Sequence, residues 1–172
     1  MQFVDKTDIK TSPMNSLIIY ESVFGNTALV AKAVCEGLSF HGEAVLLEYR
    51  QVKKADIARA DLVVAGSPTQ KFGAMPGIRK FIGDLPAGSL KGKLATAFDT
   101  RIDVKKIDNR FLTLMAGIFG YAATPLASRL RRKGGKPVVP AMGFFVDDTK
   151  GPLTAHEADR ARAWAGNIMA AR

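Results

Sequence analysis

Five short apolar runs, rich in β-branched residues, recur along the chain at regular spacing: Leu17–Tyr20, Ala44–Tyr49, Leu62–Ala65, Leu94–Phe98 and Val138–Val146. They read as near-continuous apolar segments instead of alternating ones, which suits strands covered on both faces. Helical patterns separate them. Beyond Thr27, Leu29, Val30, Ala33, Val34 and Leu38 recur at helical intervals. Lys53–Ala60 and Pro76–Leu85 follow, the second with proline at the favoured first position of a helix. Leu126–Lys133 reads as a further helix, stopped by Gly134-Gly135. The last helix carries a T-x-x-E capping box, Thr154 and Glu157, and an apolar stripe of Ala161, Trp164, Ala165, Ile168 and Met169 that assigns Trp164 to the core. Strand and helix alternate five times. That predicts an α/β fold, a doubly wound parallel sheet of order 2-1-3-4-5 with helices on both faces.

In that order ligands bind beyond the carboxyl ends of strands one and three. The informative loops are ESVFGNT (Glu21–Thr27), GSPTQKFGAMP (Gly66–Pro76) and FDTRIDVKK (Phe98–Lys106). The first leads from a strand into a helix N-terminus, which presents unpaired N–H groups and a partial positive charge. Gly25 lets the backbone close around an anion, and Ser22, Asn26 and Thr27 can donate side-chain hydrogen bonds. Simple helix capping by Asn26 or Thr27 accounts for one of these residues and not for the group. The Walker pattern and the Rossmann glycine fingerprint are both absent.

A chain of 172 residues is read as one domain over 16–172, behind a loose leader at 1–15. The leader lacks the apolar core of a signal peptide, and no run reaches the roughly 18 apolar residues of a membrane span; a cytoplasmic protein is expected. The single cysteine, Cys35, excludes an intrachain disulfide and a cysteine-built zinc site, and its apolar helical setting predicts a buried thiol. With only His41 and His156, far apart, a histidine-rich metal centre is not expected either. Net charge is +9, which favours anionic partners. The densest basic run, Arg129, Arg131, Arg132, Lys133 and Lys136, is read as a solvated face, and no nucleic-acid-binding motif accompanies it. A response-regulator receiver shares the topology but needs an acidic pair after strand one and an aspartate where Gly66-Ser67 stand. A serine hydrolase finds no G-x-S-x-G.

Ser22-Val23-Phe24-Gly25-Asn26-Thr27 resembles the phosphate loop of flavodoxins, [ST]-x-[ST]-G-[NQ]-T, with Phe24 in place of a hydroxyl. Pro68–Met75, PTQKFGAM, is similar to the PT-RFG-M loop of the flavodoxin-like NAD(P)H:quinone oxidoreductases with one extra residue, and Arg79 and Phe81 continue the likeness. The resemblance covers Ser16 to about Asp99 well and Lys136–Arg172 by pattern. It implies a flavodoxin-like fold and a bound FMN whose phosphate lies on Ser22, Val23, Phe24, Gly25, Asn26 and Thr27. The ring would lie between Pro68, Thr69, Gln70, Lys71, Phe72 and Gly73 on one side and Phe98, Asp99, Thr100 and Arg101 on the other. Neither loop holds Trp or Tyr, so Phe72 or Phe98 would cover the ring, and Lys71 or Arg101 would supply a cation near it. The implied activity is electron transfer, with NAD(P)H or a redox partner as donor and a quinone-type acceptor. A one-electron carrier and a flavin-free scaffold are the alternatives, and a homo-oligomer is compatible with each. The connection after strand four is long, and its apolar segment Phe111–Ala123 is expected to form a buried helix, a subunit interface, or a lid that admits a quinone-like substrate.

Overall fold

The computed structural model describes residues 12–104, 106, 109–110, 114 and 121–172. The elements run β1 (Ser16–Tyr20), α1 (Asn26–Ser39), β2 (Ala44–Glu48), a 3-10 turn (Tyr49–Gln51), α2 (Lys54–Arg59), β3 (Leu62–Gln70), β4 (Gly73–Ala74) and α3 (Pro76–Asp84). Then come β5 (Leu94–Ile102), α4 (Ala123–Arg132), β6 (Lys136–Pro137), β7 (Met142–Val146) and α5 (Glu157–Ala170). The sheet has the order β2-β1-β3-β5-β6, with β7 continuing along β5 and β4 folded back on the end of β3. Between the named strands all pairings are parallel except the β3–β4 hairpin, and Val146 makes an isolated antiparallel bridge to Leu153. This is the predicted doubly wound order, with the hairpin added.

Both faces of the sheet are covered, which is why the strands read as unbroken apolar runs. Ile18 and Val64 point to α1 and α5, where Val30, Val34, Leu38, Ala165 and Ile168 meet them. Leu17, Ile19 and Val63 point the other way, onto Ile78 and Ile82 of α3 and Leu126 and Leu130 of α4. On the first face Phe98, Phe144 and Trp164 form a closed aromatic trio with centroids 6.0–6.2 Å apart and edge-to-face geometry. Such pairs add about 0.5–1.5 kcal/mol each beyond burial of their area. Gly66 makes room for this trio: a Cβ there would lie 2.1 Å from Phe98 Cζ.

The structure departs from the periodicity reading in four places. β3 runs to Gln70 and β5 to Ile102, well past Ala65 and Phe98, because their polar ends find buried partners and so continue the ladder. The fifth strand is split into β6 and β7. Between Ala95↔Pro137 and Phe98↔Met142 the outer strand carries two extra residues, and Pro140, within that stretch, has no N–H to give. The Thr154–Glu157 capping box does not form. α5 begins at Glu157, whose carboxylate instead accepts the N–H of Phe145 at 2.7 Å, while Thr154 donates its hydroxyl to Asp147. At the amino end, packing reaches back to Met14, which is buried and donates its N–H to His41. The rest of the leader, 1–11, and most of the apolar segment 111–123 lie outside the described residues.

Candidate functional site

The carboxyl ends of β1, β3, β5 and β7 surround a cleft of about 380 Å³ lined by Val23, Phe24, Asn26, Thr27, Pro68, Thr69, Gln70, Lys71, Thr100, Arg101, Ile102, Val146 and Thr149. That volume is within the usual range for a small-molecule site. A smaller hollow on the flank of the sheet, lined by Asn15, Val45, Arg59 and their neighbours, holds about 30 Å³ and lies away from these loops.

The turn from β1 into α1 is built around Gly25, the N-cap residue, at φ 90°. Only glycine enters this left-handed region readily. The N-cap residue is Gly25, which has no side chain, so capping by Asn26 or Thr27 is excluded as the explanation of this stretch. The N–H groups of Asn26 and Thr27, at the start of the first turn, are left for a ligand. A Cβ on Gly25 would meet no protein atom within 4 Å, so it is the backbone angle, and not crowding, that demands glycine. Ser22 Oγ accepts the N–H groups of Gly25 at 3.2 Å and Ala28 at 3.4 Å, which holds the turn and leaves the hydroxyl proton free to donate. Thr27 and Thr100 share one hydrogen bond at 2.8 Å between hydroxyls, both buried at the cleft wall. Two hydroxyls carry two protons, so one proton remains for a ligand. Asn26 donates to the carbonyl of Lys150 at 3.1 Å and packs on Gly151, drawing the loop after β7 to the cleft.

Opposite stands the β3–β4 hairpin. Its two turn residues, Lys71 and Phe72, both have positive φ, 47° and 63°. Two-residue hairpins favour this conformation, but usually with Asn and Gly, so two bulky residues here are strained. Pro68, Thr69, Gln70 and Lys71 reach the wall; Phe72 and Gly73 do not.

Asp99 is fully buried behind the wall. It accepts Arg101 Nε at 2.5 Å and Nη2 at 2.7 Å, and the N–H of Ala123 at 2.8 Å. Burial pushes its carboxyl above the ordinary value, and Arg101, Ala123 and Thr69 oppose that rise. The Arg101 guanidinium lies 3.7 Å from the centroid of the Tyr121 ring and over Gly143, where a Cβ would meet Cζ at 2.2 Å. Arg101 is therefore an occupied cation, tied to its own carboxylate. Phe98 lies in the core trio and does not reach the cleft, so it covers nothing there. Loop chemistry did not point to Ile102, Val146 and Thr149: β5 runs past Phe98 as far as Ile102, Val146 is the last residue of β7, and Thr149 lies in the loop that follows it.

Glu21 has a different task. Its carboxylate accepts the N–H of Ile78 at 2.6 Å, in the first turn of α3, and a Cβ on Gly77 would collide with it and with Tyr49. It closes the amino end of α3 and leaves that of α1 open.

Doubly wound topology, an open helix N-terminus after β1 and a cleft at the reversal of strand order define a nucleotide-type binding domain of the α/β class. Residues 18–164 match the model of the family described as Flavodoxin, and the chain belongs to that family. Its fold is similar to a flavodoxin from the domain Archaea, with a TM-score of 0.72, 19% identity, and 91% of this chain and 97% of that one covered. It is likewise similar to oxidised flavodoxin 2 from Bacillus cereus, with a TM-score of 0.69, 22% identity, and coverage of 90% and 97%. The Flv1 flavodiiron core from Synechocystis sp. PCC6803 contains a like domain, with a TM-score of 0.65 and 18% identity; the match covers 95% of this chain and 36% of that one. No curated protein sequence matches. Family membership implies a flavoprotein that binds FMN and transfers electrons to redox partners. The uncapped helix, the free hydroxyl protons and the size of the cleft fit that group.

Proposed function

We propose that the cleft holds FMN and that the protein passes electrons from a reduced donor, NAD(P)H or a redox partner, to quinone-type acceptors in the cytoplasm. The observation that carries this reading is the uncapped amino end of α1, opened by Gly25 at φ 90° into a cleft of ligand size. FMN, when bound, supplies the redox chemistry itself. The chain's residues bind and orient it. Ser22, Thr27 and the first turn of α1 offer donors and partial positive charge to the phosphate, without any lysine in the turn. Val23 and Phe24, each 46% exposed, give the rim an apolar character that suits a quinone-type ring. Lys71 brings a positive charge to the opposite wall, which favours negative charge gained by a bound group on reduction. The strongly basic balance distinguishes this reading from a carrier that docks basic partners.

Titration of the apo-protein with FMN and with riboflavin tests the site. FMN should bind far more tightly, and inorganic phosphate should compete with FMN only. Thr27→Ala should weaken FMN by about tenfold or more, since a hydrogen bond to a charged group is worth roughly 1.5–3 kcal/mol, and should leave riboflavin unchanged. Equal affinity of the two flavins for the unmutated protein would remove the phosphate site. Loss of the yellow absorbance on adding NAD(P)H, restored by a quinone, supports the reductase. Flavin that NAD(P)H leaves oxidised points to a carrier served by a protein donor.

A further inference from the structure

The end of the sheet remote from the cleft carries an uncompensated basic face. Lys91 lies in the turn before β5, Arg129, Arg131 and Arg132 on the last turns of α4, and Lys136 on β6. Backbone contacts bring these together: Leu90 donates its N–H to Lys133 O at 3.0 Å, and Lys136 donates to Lys93 O at 2.8 Å. Two other lysines of the region have structural partners. Lys133 Nζ binds the carbonyls of Gly83 and Leu85 at the end of α3, and Lys93 Nζ those of Ala58 and Ala60 at the end of α2. Among the described residues, Lys91, Arg129, Arg131, Arg132 and Lys136 make no side-chain hydrogen bond or ion pair. The acidic side chains at this end are already engaged: Glu43 with Arg59, Asp84 with Lys80, and Asp61 with the N–H of Asn15. The same end presents Phe40, 84% exposed, at the close of α1, beside the Met14–His41 contact where the chain enters the sheet.

We propose that this face docks on an anionic lipid surface, with Phe40 entering the headgroup layer and the five cations resting on lipid phosphates. Clustered Lys and Arg are drawn to anionic leaflets, and an aromatic ring suits the interface. Two weak signals together give reversible attachment. Nucleic acid is less favoured, since this face offers one aromatic ring, at a distance from the cations across the sheet, and no stacking series. Docking this way turns the cleft towards solution, since strands and α1 run from one end to the other.

Co-sedimentation of the purified chain with phosphatidylcholine vesicles, with and without phosphatidylglycerol, tests this independently of any flavin. The chain should pellet only with the anionic vesicles, and release as salt is raised. Arg131→Glu with Arg132→Glu should weaken binding at least tenfold, and Phe40→Ser should weaken it without changing the salt dependence. Lys53→Glu with Lys54→Glu, the same change of net charge at the other end of the molecule, should leave it intact. No binding to anionic vesicles, equal loss in both double variants, or tighter binding to an oligonucleotide than to vesicles would each overturn the proposal.

Discussion

Asp99 places a carboxyl where there is no water to solvate it, and its neighbours replace that water. Arg101 supplies two bonds and Ala123 a third. Removing one partner of such a pair leaves the other stranded, at a typical cost of 3–5 kcal/mol. Asp99→Asn keeps the acceptor for Ala123 but leaves Arg101 without its counter-ion. Arg101 retains 17% side-chain exposure, so about 3 kcal/mol, the lower end of that range, is expected in denaturant melts. The pH dependence has a definite sign. Burial raises the folded carboxyl above 3.8, so the folded state holds the proton more tightly than the unfolded chain. Asp99's contribution is then greatest below pH 3.8 and declines as pH rises through the folded value. Asn cannot titrate, and the asparagine variant should lack that decline when melts are compared across this window. The sequence placed Asp99 and Arg101 together at the site, but not their pairing. Two residues apart on a strand, they share a face, yet only the approach of Tyr121 and Gly143 folds the guanidinium back.

At the scale of elements, α1 and α5 pack closely at Gly37. A Cβ there would lie 2.7 Å from Ala165 Cβ and 3.0 Å from the carbonyl oxygen of Arg162. Alanine would favour the isolated helix by about 1 kcal/mol, but a backbone oxygen cannot step aside, and overpacking costs about 1–3 kcal/mol. Gly37→Ala should therefore destabilise the protein in thermal melts by roughly 1 kcal/mol net, whereas Gly83→Ala, on α3 with nothing within 4 Å of the new Cβ, should stabilise it slightly. Element order was legible because burial on both faces imposes apolar runs. Element ends were not. Ser67, Asp99 and Thr100 look like loop residues in sequence; in the fold each is buried and has a hydrogen-bond partner, Met75 N–H, Arg101 and Thr27 respectively. The missing capping box has a similar cause, since β7 offers Glu157 a backbone N–H that the local sequence cannot reveal.

For the whole molecule, occupancy of the cleft should appear as stability. A ligand that binds only the folded state adds about 2.7 kcal/mol at a concentration of 100 Kd. For a chain of 172 residues that corresponds to a rise in Tm of roughly 5–10 °C. FMN at that excess should produce the shift, and riboflavin at the same concentration a much smaller one. A melting temperature indifferent to FMN would mean that the cleft is not a flavin site.

Periodicity and loop chemistry by themselves determined the class of fold, the strand order and the open turn at Ser22–Thr27, and the resemblance of that turn to a known phosphate loop pointed to the family. Each depends on residues near one another in the chain, or on a pattern that burial repeats in every strand. Only the tertiary structure decided which candidates face the cleft. Phe98 was drawn into the core by the space over Gly66, Arg101 was claimed by Asp99, and Thr149 was brought in by the loop that Asn26 holds. Thr27 and Thr100, 73 positions apart, became one hydrogen-bonded pair. A side chain's direction depends on which distant partner satisfies it best, and that partner is set only when the strands come into register.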